Sequence, residues 1–207
     1  MNRVDEMLKD SSSAAEFADR YFGYLADVMG RVDRREVAAF IEVLLDARRR
    51  GARIFFIGNG GSAATASHFA NDLAVGTRSR TLPFRVISLT DNVAVLTAIG
   101  NDFGYKEIFT SQLKALMESG DVVVAISASG NSPNVIEAVR WAADHGAVTV
   151  GLTGFDGGSL RRIVHTAVHI QTHDGEYGPV EDLHMILDHV AGTYLRAVCA
   201  NEEGSAK

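Results

Sequence analysis

The sequence is short of the residues that mark several protein classes. It has one cysteine, Cys199, which excludes a disulfide framework and any cysteine-rich zinc knuckle. It also lacks a basic excess. Twenty Lys plus Arg against 26 Asp plus Glu leave a formal charge of −6, the wrong sign for tracking a phosphate backbone, so no nucleic-acid partner is expected. No apolar run approaches the roughly 20 residues of a membrane span. The opening MNRVDEMLKD is charged throughout, without the apolar centre of a signal peptide. These absences predict a cytoplasmic protein with no membrane partner. Three prolines against 20 glycines mean that the chain turns mostly at glycine.

What is present is enough for a core. Hydrophobic residues make up 46% and charged residues 22% of 207 residues, which predicts one domain over 1–207. Two helices are expected first. Ser13 with Glu16 fits a capping box ahead of Phe17, Tyr21, Leu25, Val28 and Met29. Asp33 with Glu36 opens the second helix, which carries Val37, Phe40, Ile41, Leu44 and Leu45. Gly51 stops it after Arg48, Arg49 and Arg50, which suit the negative end of the helix dipole. Phe17, Tyr21, Phe22, Tyr24 and Leu25 span a wider arc than one packing stripe needs, so the helices of residues 1–50 are expected to pack in an oligomer.

From residue 51 to 200 the pattern becomes α/β. Five apolar runs, at 53–57, 85–89, 122–126, 148–152 and 168–170, alternate too little for one-faced strands and read as strands covered on both faces. Helical stretches separate them at 63–75, 93–99 continuing toward 105–118, and 135–144, with a last helix over about 180–200. The tail NEEGSAK reads as frayed. Alternating units of this kind form a doubly wound, five-stranded parallel sheet flanked by helices, with ligands at the carboxyl ends of the strands.

Two of the loops there carry the chemistry of anion binding. Gly58-Asn59-Gly60-Gly61-Ser62 follows the first strand, and Ser127-Ala128-Ser129-Gly130-Asn131-Ser132 follows the third, ahead of Pro133. Each is a glycine-bearing turn with hydroxyls at a helix N-terminus, where free N–H groups and the dipole favour an anion. Ser132 is well placed as a cap, with Pro133 at the first helical position. Capping alone accounts for one such turn; two in one sheet point to a small phosphorylated ligand. No Gly-Lys-Ser/Thr and no GxGxxG occurs in these loops, so no nucleotide is implied.

His68 and Asp72 stand four residues apart on the helix after the first loop, and Glu181 and His189 stand eight apart on the last helix. Each pair shares a face. Together they could close four ligands around a divalent ion, zinc being favoured by imidazole. Each pair alone is more usually a solvated contact or a structural hydrogen bond, and His184 with Asp188 and the remaining histidines are read the same way.

The motifs GNGGS, HFANDL, IGNDFGY, SASGNSPNVI, LTGFDGG and EDLHMILDH together resemble the sugar isomerase (SIS) domain family, and within it the phosphoheptose isomerase branch. The resemblance implies an aldose–ketose isomerase that converts sedoheptulose 7-phosphate to a D-glycero-D-manno-heptose 7-phosphate. It also implies a homotetramer with active sites shared between subunits. Asn59, Gly60, Gly61 and Ser62 would line the sugar phosphate, Asn101 and Asp102 would contact the sugar, and Ser127, Ala128, Ser129 and Ser132 would hold the phosphate. His68, Asp72, Glu181 and His189 fall on the family's zinc positions, one Zn2+ per subunit. Asp72 would also be the base, His189 its acid partner, and Asp72 and Glu181 would touch substrate. The chain departs from the family pattern at Asp72, where Glu is usual, at Glu181, where Gln is usual, and at Gly76, where an arginine often stands. A different branch of the family suggests an adaptor that binds a replication initiator protein. An isomerase for another sugar phosphate, or a sugar-phosphate sensor, would also keep the serine loops. Carboxylates at both 72 and 181 favour the enzyme.

Overall fold

The computed structural model describes residues 2–205. Its centre is an all-parallel sheet of β1 (Arg53–Gly58), β2 (Arg85–Ser88), β3 (Val122–Ser127), β4 (Val148–Thr153) and β5 (Thr166–His169), in the order β2-β1-β3-β4-β5. All five stand where the apolar runs predict, β5 two residues earlier. The runs do not alternate because both faces are covered. Ile54, Phe56, Val122, Val124 and Ile126 face one core, while Phe55, Ile57, Val123 and Ala125 face the other. The first core is closed by α2 (Ala14–Arg31), α3 (Arg34–Arg50), α4 (Gly61–Asn71) and α9 (Tyr177–Ser205). The second is closed by α5 (Val93–Asp102), α6 (Thr110–Leu116), α7 (Pro133–Asp144) and α8 (Leu160–Ile163).

β1 lies between β2 and β3, with Gly58 opposite Ile126. After β1 the chain crosses to one layer as α4, and after β3 to the other as α7. The two turns leave from adjacent strand ends and diverge, which opens a crevice at the switch point of the sheet.

Three features differ from the expectation. The N-terminus has three helices, because α1 (Arg3–Asp10) precedes the two predicted. α1 is only eight residues long and fully buries none of them, with Val4 and Met7 resting on the first core; Asn2 Oδ1 caps it by accepting from Asp5 N–H. The helix predicted over 63–75 ends as α-helix at Asn71 and continues as one π turn, Asp72–Gly76. The tail also stays helical to Ser205, because Arg48 reaches it. This guanidinium is buried, bonding Leu82 O at 2.8 Å, Ser79 Oγ at 3.1 Å and the Glu202 carboxylate, so its role is a clamp more than a dipole partner. Residues 206 and 207 of the NEEGSAK tail lie outside the described residues.

Local caps behave largely as read. Ser13 Oγ accepts from Glu16 N–H at 3.2 Å, but the Glu16 carboxylate turns to Ser12 N–H and Oγ rather than to Ser13. Gly51 ends α3 at φ +66°. Among the described residues no helix is long and apolar enough to cross a membrane.

The start of α9 is pinned by one buried carboxylate. Glu176 accepts from Tyr24 Oη at 2.6 Å, Arg3 N–H at 2.6 Å and His173 N–H at 3.0 Å, tying α1 and α2 to the segment before α9. Burial, with Glu176 as acceptor, pushes the Tyr24 phenol up to about 12, so it stays a donor at neutral pH. Tyr24→Phe removes one bond to a charged group and is expected to lower unfolding free energy by about 1.5–3 kcal/mol in denaturant titration. Unchanged stability would contradict this clamp.

Candidate active site

The second loop forms the wall of a pocket at the switch point. Ser127, Ala128, Ser129 and Ser132 line a cavity of ≈ 120 Å³ together with Asn59, Ser62, Ile126, Tyr177 and Glu181. The loop is held from behind. Ser127 Oγ accepts from Gly130 N–H at 3.1 Å, Gly130 O accepts from Leu160 N–H at 2.9 Å, and Ala128 O accepts from Gly154 N–H at 3.0 Å. Gly130 has φ +62°, and a Cβ there would collide with the Gly157 carbonyl, so the GFDGG segment and the serine loop fit only through glycine. Ser132 stands at the N-cap of α7 but its side chain makes no cap bond. The N–H it would have capped, that of Val135, is taken by Asn134 Oδ1 at 3.0 Å. The Ser132 hydroxyl therefore remains available to a ligand.

The first loop brings Gly60, at φ +54°, and Gly61 to the start of α4, which has no side-chain cap. A Cβ at Gly61 would collide with the Glu181 carboxylate, so this acid lies against the N-terminal turn of α4. Burial raises the Glu181 carboxyl, with Asp182 adding to the effect. Asn59, which lines the same cavity, is held by neighbouring side chains. Its amide exchanges two bonds with Asn134, at 2.9 and 2.8 Å, and its Oδ1 also accepts from Tyr105 Oη at 2.9 Å.

A second constellation lies further along α4 and α9. Ligand atoms of His68, Asp72, Asp188 and His189 all fall within 4.8 Å of one another. His68 Nε2 stands 3.4 Å from His189 Nε2, 3.6 Å from Asp72 Oδ2 and 3.5 Å from Asp188 Oδ2. Asp72 opens the π turn, a distortion often found at functional positions. Asp188 is fully buried and neither of its oxygens accepts a hydrogen bond. Burial pushes its carboxyl up to about 7, aided by the Asp72 carboxylate and opposed by His189. Beside the cluster is a ≈ 270 Å³ cavity lined by Asp72, Gly76, His189, Gly192, Thr193 and Arg196.

The structure thus gathers His68, Asp72 and His189 as the spacing suggests, but Asp188 completes their group and Glu181 stands at the serine pocket. Asn59, Ser62, Ser127, Ala128, Ser129 and Ser132 line one cavity. Asn101 and Asp102 do not line it within one chain; they are exposed at the end of α5, where Asn101 Nδ2 donates to Asp102 Oδ1 at 2.8 Å. Tyr177 and Asp188 were not anticipated as site residues. Tyr177 is set by an edge-on contact with Phe155, ring centroids 5.0 Å apart. The side chains of His184 and Asp188 do not bond to each other.

A family model described as "SIS domain" matches residues 20–154. The phosphoheptose isomerase of Geobacter metallireducens is 39% identical over 168 residues, 78% of this chain and 89% of that protein. That of Nitratidesulfovibrio vulgaris is 35% identical over 184 residues, 89% of this chain and 84% of the relative. The solved phosphoheptose isomerase of Neisseria gonorrhoeae aligns with a TM-score of 0.80 at 31% identity, covering 89% of this chain and 100% of that one. The chain belongs to the SIS domain family. Within it, the chain stands with the phosphoheptose isomerases and is an isomerase.

His184 gives a test of how dry the sheet side of α9 is. It is fully buried, and burial lowers its imidazole from 6.5 to about 4. Between those values the unfolded chain takes up the proton and the folded one does not. The stability that the neutral ring contributes is full above about pH 6.5 and is lost as pH falls toward 4. Its ring NMR signals are expected to stay constant from pH 7 to about pH 5. A midpoint near the unperturbed value would contradict the burial.

Proposed function

We propose that the chain isomerises a seven-carbon sugar phosphate, converting sedoheptulose 7-phosphate to a D-glycero-D-manno-heptose 7-phosphate. The observation that carries this reading is the way α4 and α9 run from one constellation to the other. Ser62 and His68 are six residues apart on α4, and Glu181 and Asp188 seven apart on α9. At 1.5 Å per residue, about 9–10 Å separates the serine pocket from the His and carboxylate cluster. That is the length scale of an extended seven-carbon phosphate.

Ser127, Ser129 and Ser132, with the N-terminus of α7, bind the phosphate. Glu181 and Ser62 lie beside the carbon chain. Binding energy at the phosphate end orients the reacting carbons at the other. Aldose–ketose isomerisation moves a proton between adjacent carbons through an enediol. Asp72 takes the proton from one carbon, and His189 serves the neighbouring oxygen as acid. A zinc ion fits the donor chemistry of His68, Asp72 and His189, and a buried carboxylate without hydrogen bonds faces the same spot. When bound, zinc would polarise the substrate carbonyl and stabilise developing negative charge.

The reading includes a cytoplasmic homotetramer with shared active sites. Two features support shared sites. Met29, Val32, Val37, Ile186, Leu187 and Val190 line an apolar groove of ≈ 270 Å³. His189 itself borders an apolar face with Ile186, Val190 and Tyr194. Exposed Phe22, Met29 and Tyr194 add to the surface that assembly would cover. A tetramer is expected by light scattering at micromolar concentration; a monomer would contradict it.

Two measurements test the chemistry. Incubation with sedoheptulose 7-phosphate is expected to give an aldoheptose phosphate by NMR, and Asp72→Asn is expected to lose at least about 100-fold in kcat. Absence of turnover on any heptose phosphate would return the adaptor reading. Ser129→Ala and Ser132→Ala are each expected to weaken sugar-phosphate binding by about 1.5–3 kcal/mol, roughly ten- to 150-fold, with the melting temperature unchanged. A double variant that binds as tightly as wild type would remove the serine loop from the site.

A further inference from the structure

We infer that Asp188, not Glu181, is the fourth protein donor to the divalent ion in this chain, and that Glu181 is released to the substrate pocket. The inference rests on the isomerase reading only for the identity of the ion. The distances carry it. A tetrahedral zinc ion with bonds of about 2.0–2.1 Å spaces its donor atoms roughly 3.3–3.4 Å apart. The three separations around His68 Nε2, to His189, Asp188 and Asp72, are 3.4, 3.5 and 3.6 Å. Three of the six separations are therefore at that spacing as α4 and α9 stand, and all four atoms lie within 4.8 Å of one another. Glu181 is not one of the group; its carboxylate lies against Gly61, eleven residues before Asp72.

Asp188 also has no other occupation. It is 0% exposed, its two oxygens accept no hydrogen bond, and the Asp72 carboxylate stands within 4.8 Å of it. A buried carboxylate in that position is costly unless a cation faces it. His68, half-exposed, and His189, exposed, form the outer rim of the cluster, while Asp188 forms its inner wall. Two carboxylates and two neutral imidazoles bring a charge of −2, which a divalent ion balances. This donor set suits zinc.

The test uses the full-length protein, stripped with chelator, as wild type and as Asp188→Asn, Asp188→Leu and Glu181→Gln. Zinc affinity is read by competition with a chromophoric chelator, and coordination by the visible absorption of added Co2+. Both Asp188 variants are expected to bind zinc at least about 100-fold more weakly and to lose the intense tetrahedral cobalt spectrum, whereas Glu181→Gln stays within about threefold of wild type. Leu fills the buried position without a charge, so the metal-free Asp188→Leu protein is expected to melt no lower than metal-free wild type. Added zinc raises the melting temperature of wild type and of Glu181→Gln, and of neither Asp188 variant. Zinc binding that survives at Asp188→Asn and Asp188→Leu, or that is lost at Glu181→Gln, overturns the inference. So does a wild type that takes up neither ion at micromolar concentration. Turnover of sedoheptulose 7-phosphate on the same samples separates the two ideas. An active wild type whose zinc affinity ignores Asp188 refutes this inference alone. Zinc binding that needs Asp188 in a protein with no turnover refutes the isomerase reading alone.

Discussion

The strand order at β1 constrains everything else in the site. Because β2 and β3 flank β1, the chain after β1 and the chain after β3 must cross to opposite layers. Two helix N-termini then point at one crevice, and each brings a glycine in the left-handed region: Gly60 at φ +54° and Gly130 at φ +62°. The anion-binding character of the pocket follows from this geometry before any side chain is added. The serine hydroxyls and Glu181 refine it.

Reach is supplied by α4 and α9. Each starts beside the pocket and carries its histidine and carboxylate about two turns further on, so one rigid pair of helices fixes both ends of a site. Their placement is secured at distant points. Glu176 fastens the start of α9 to α1 and α2, and Arg48 fastens its far end to α3 and the segment before β2. The Gly130–Gly157 contact holds the serine loop against the loop after β4. None of these groups touches the cavity, yet each sets where a cavity residue stands.

Much of this was legible in the sequence, for physical reasons. The strands were visible because two-sided burial leaves no polar alternation, as at Ile54–Ile57 and Val122–Ile126. The serine loop was visible because hydroxyls and glycine coincide with a strand end and Pro133. Other features were not. α1 is only eight residues long and fully buries none of them, so its short stripe of Val4, Met7 and Leu8 is easily passed over. The π turn at Asp72 depends on packing, not on composition. Spacing does not separate Glu181 from Asp188, because the two are seven residues apart. On an ideal helix that is a rotation of only about 20° from the same face. Spacing along α9 places both on one stripe, and only the height at which α4 crosses decides which of them meets His68. Asn101 and Asp102 were assigned through the family resemblance, and a single chain leaves them exposed.

The central claim is that one extended ligand spans the switch-point pocket and the cluster. A crystal structure of the protein with sedoheptulose 7-phosphate, using a slow variant such as Asp72→Asn, measures this directly. The account predicts the phosphate oxygens within hydrogen-bond distance of Ser127, Ser129 and Ser132, with the first two carbons beside His189 and residue 72. A phosphate bound away from the serine loop, or a sugar whose reacting carbons lie far from His189, would contradict it.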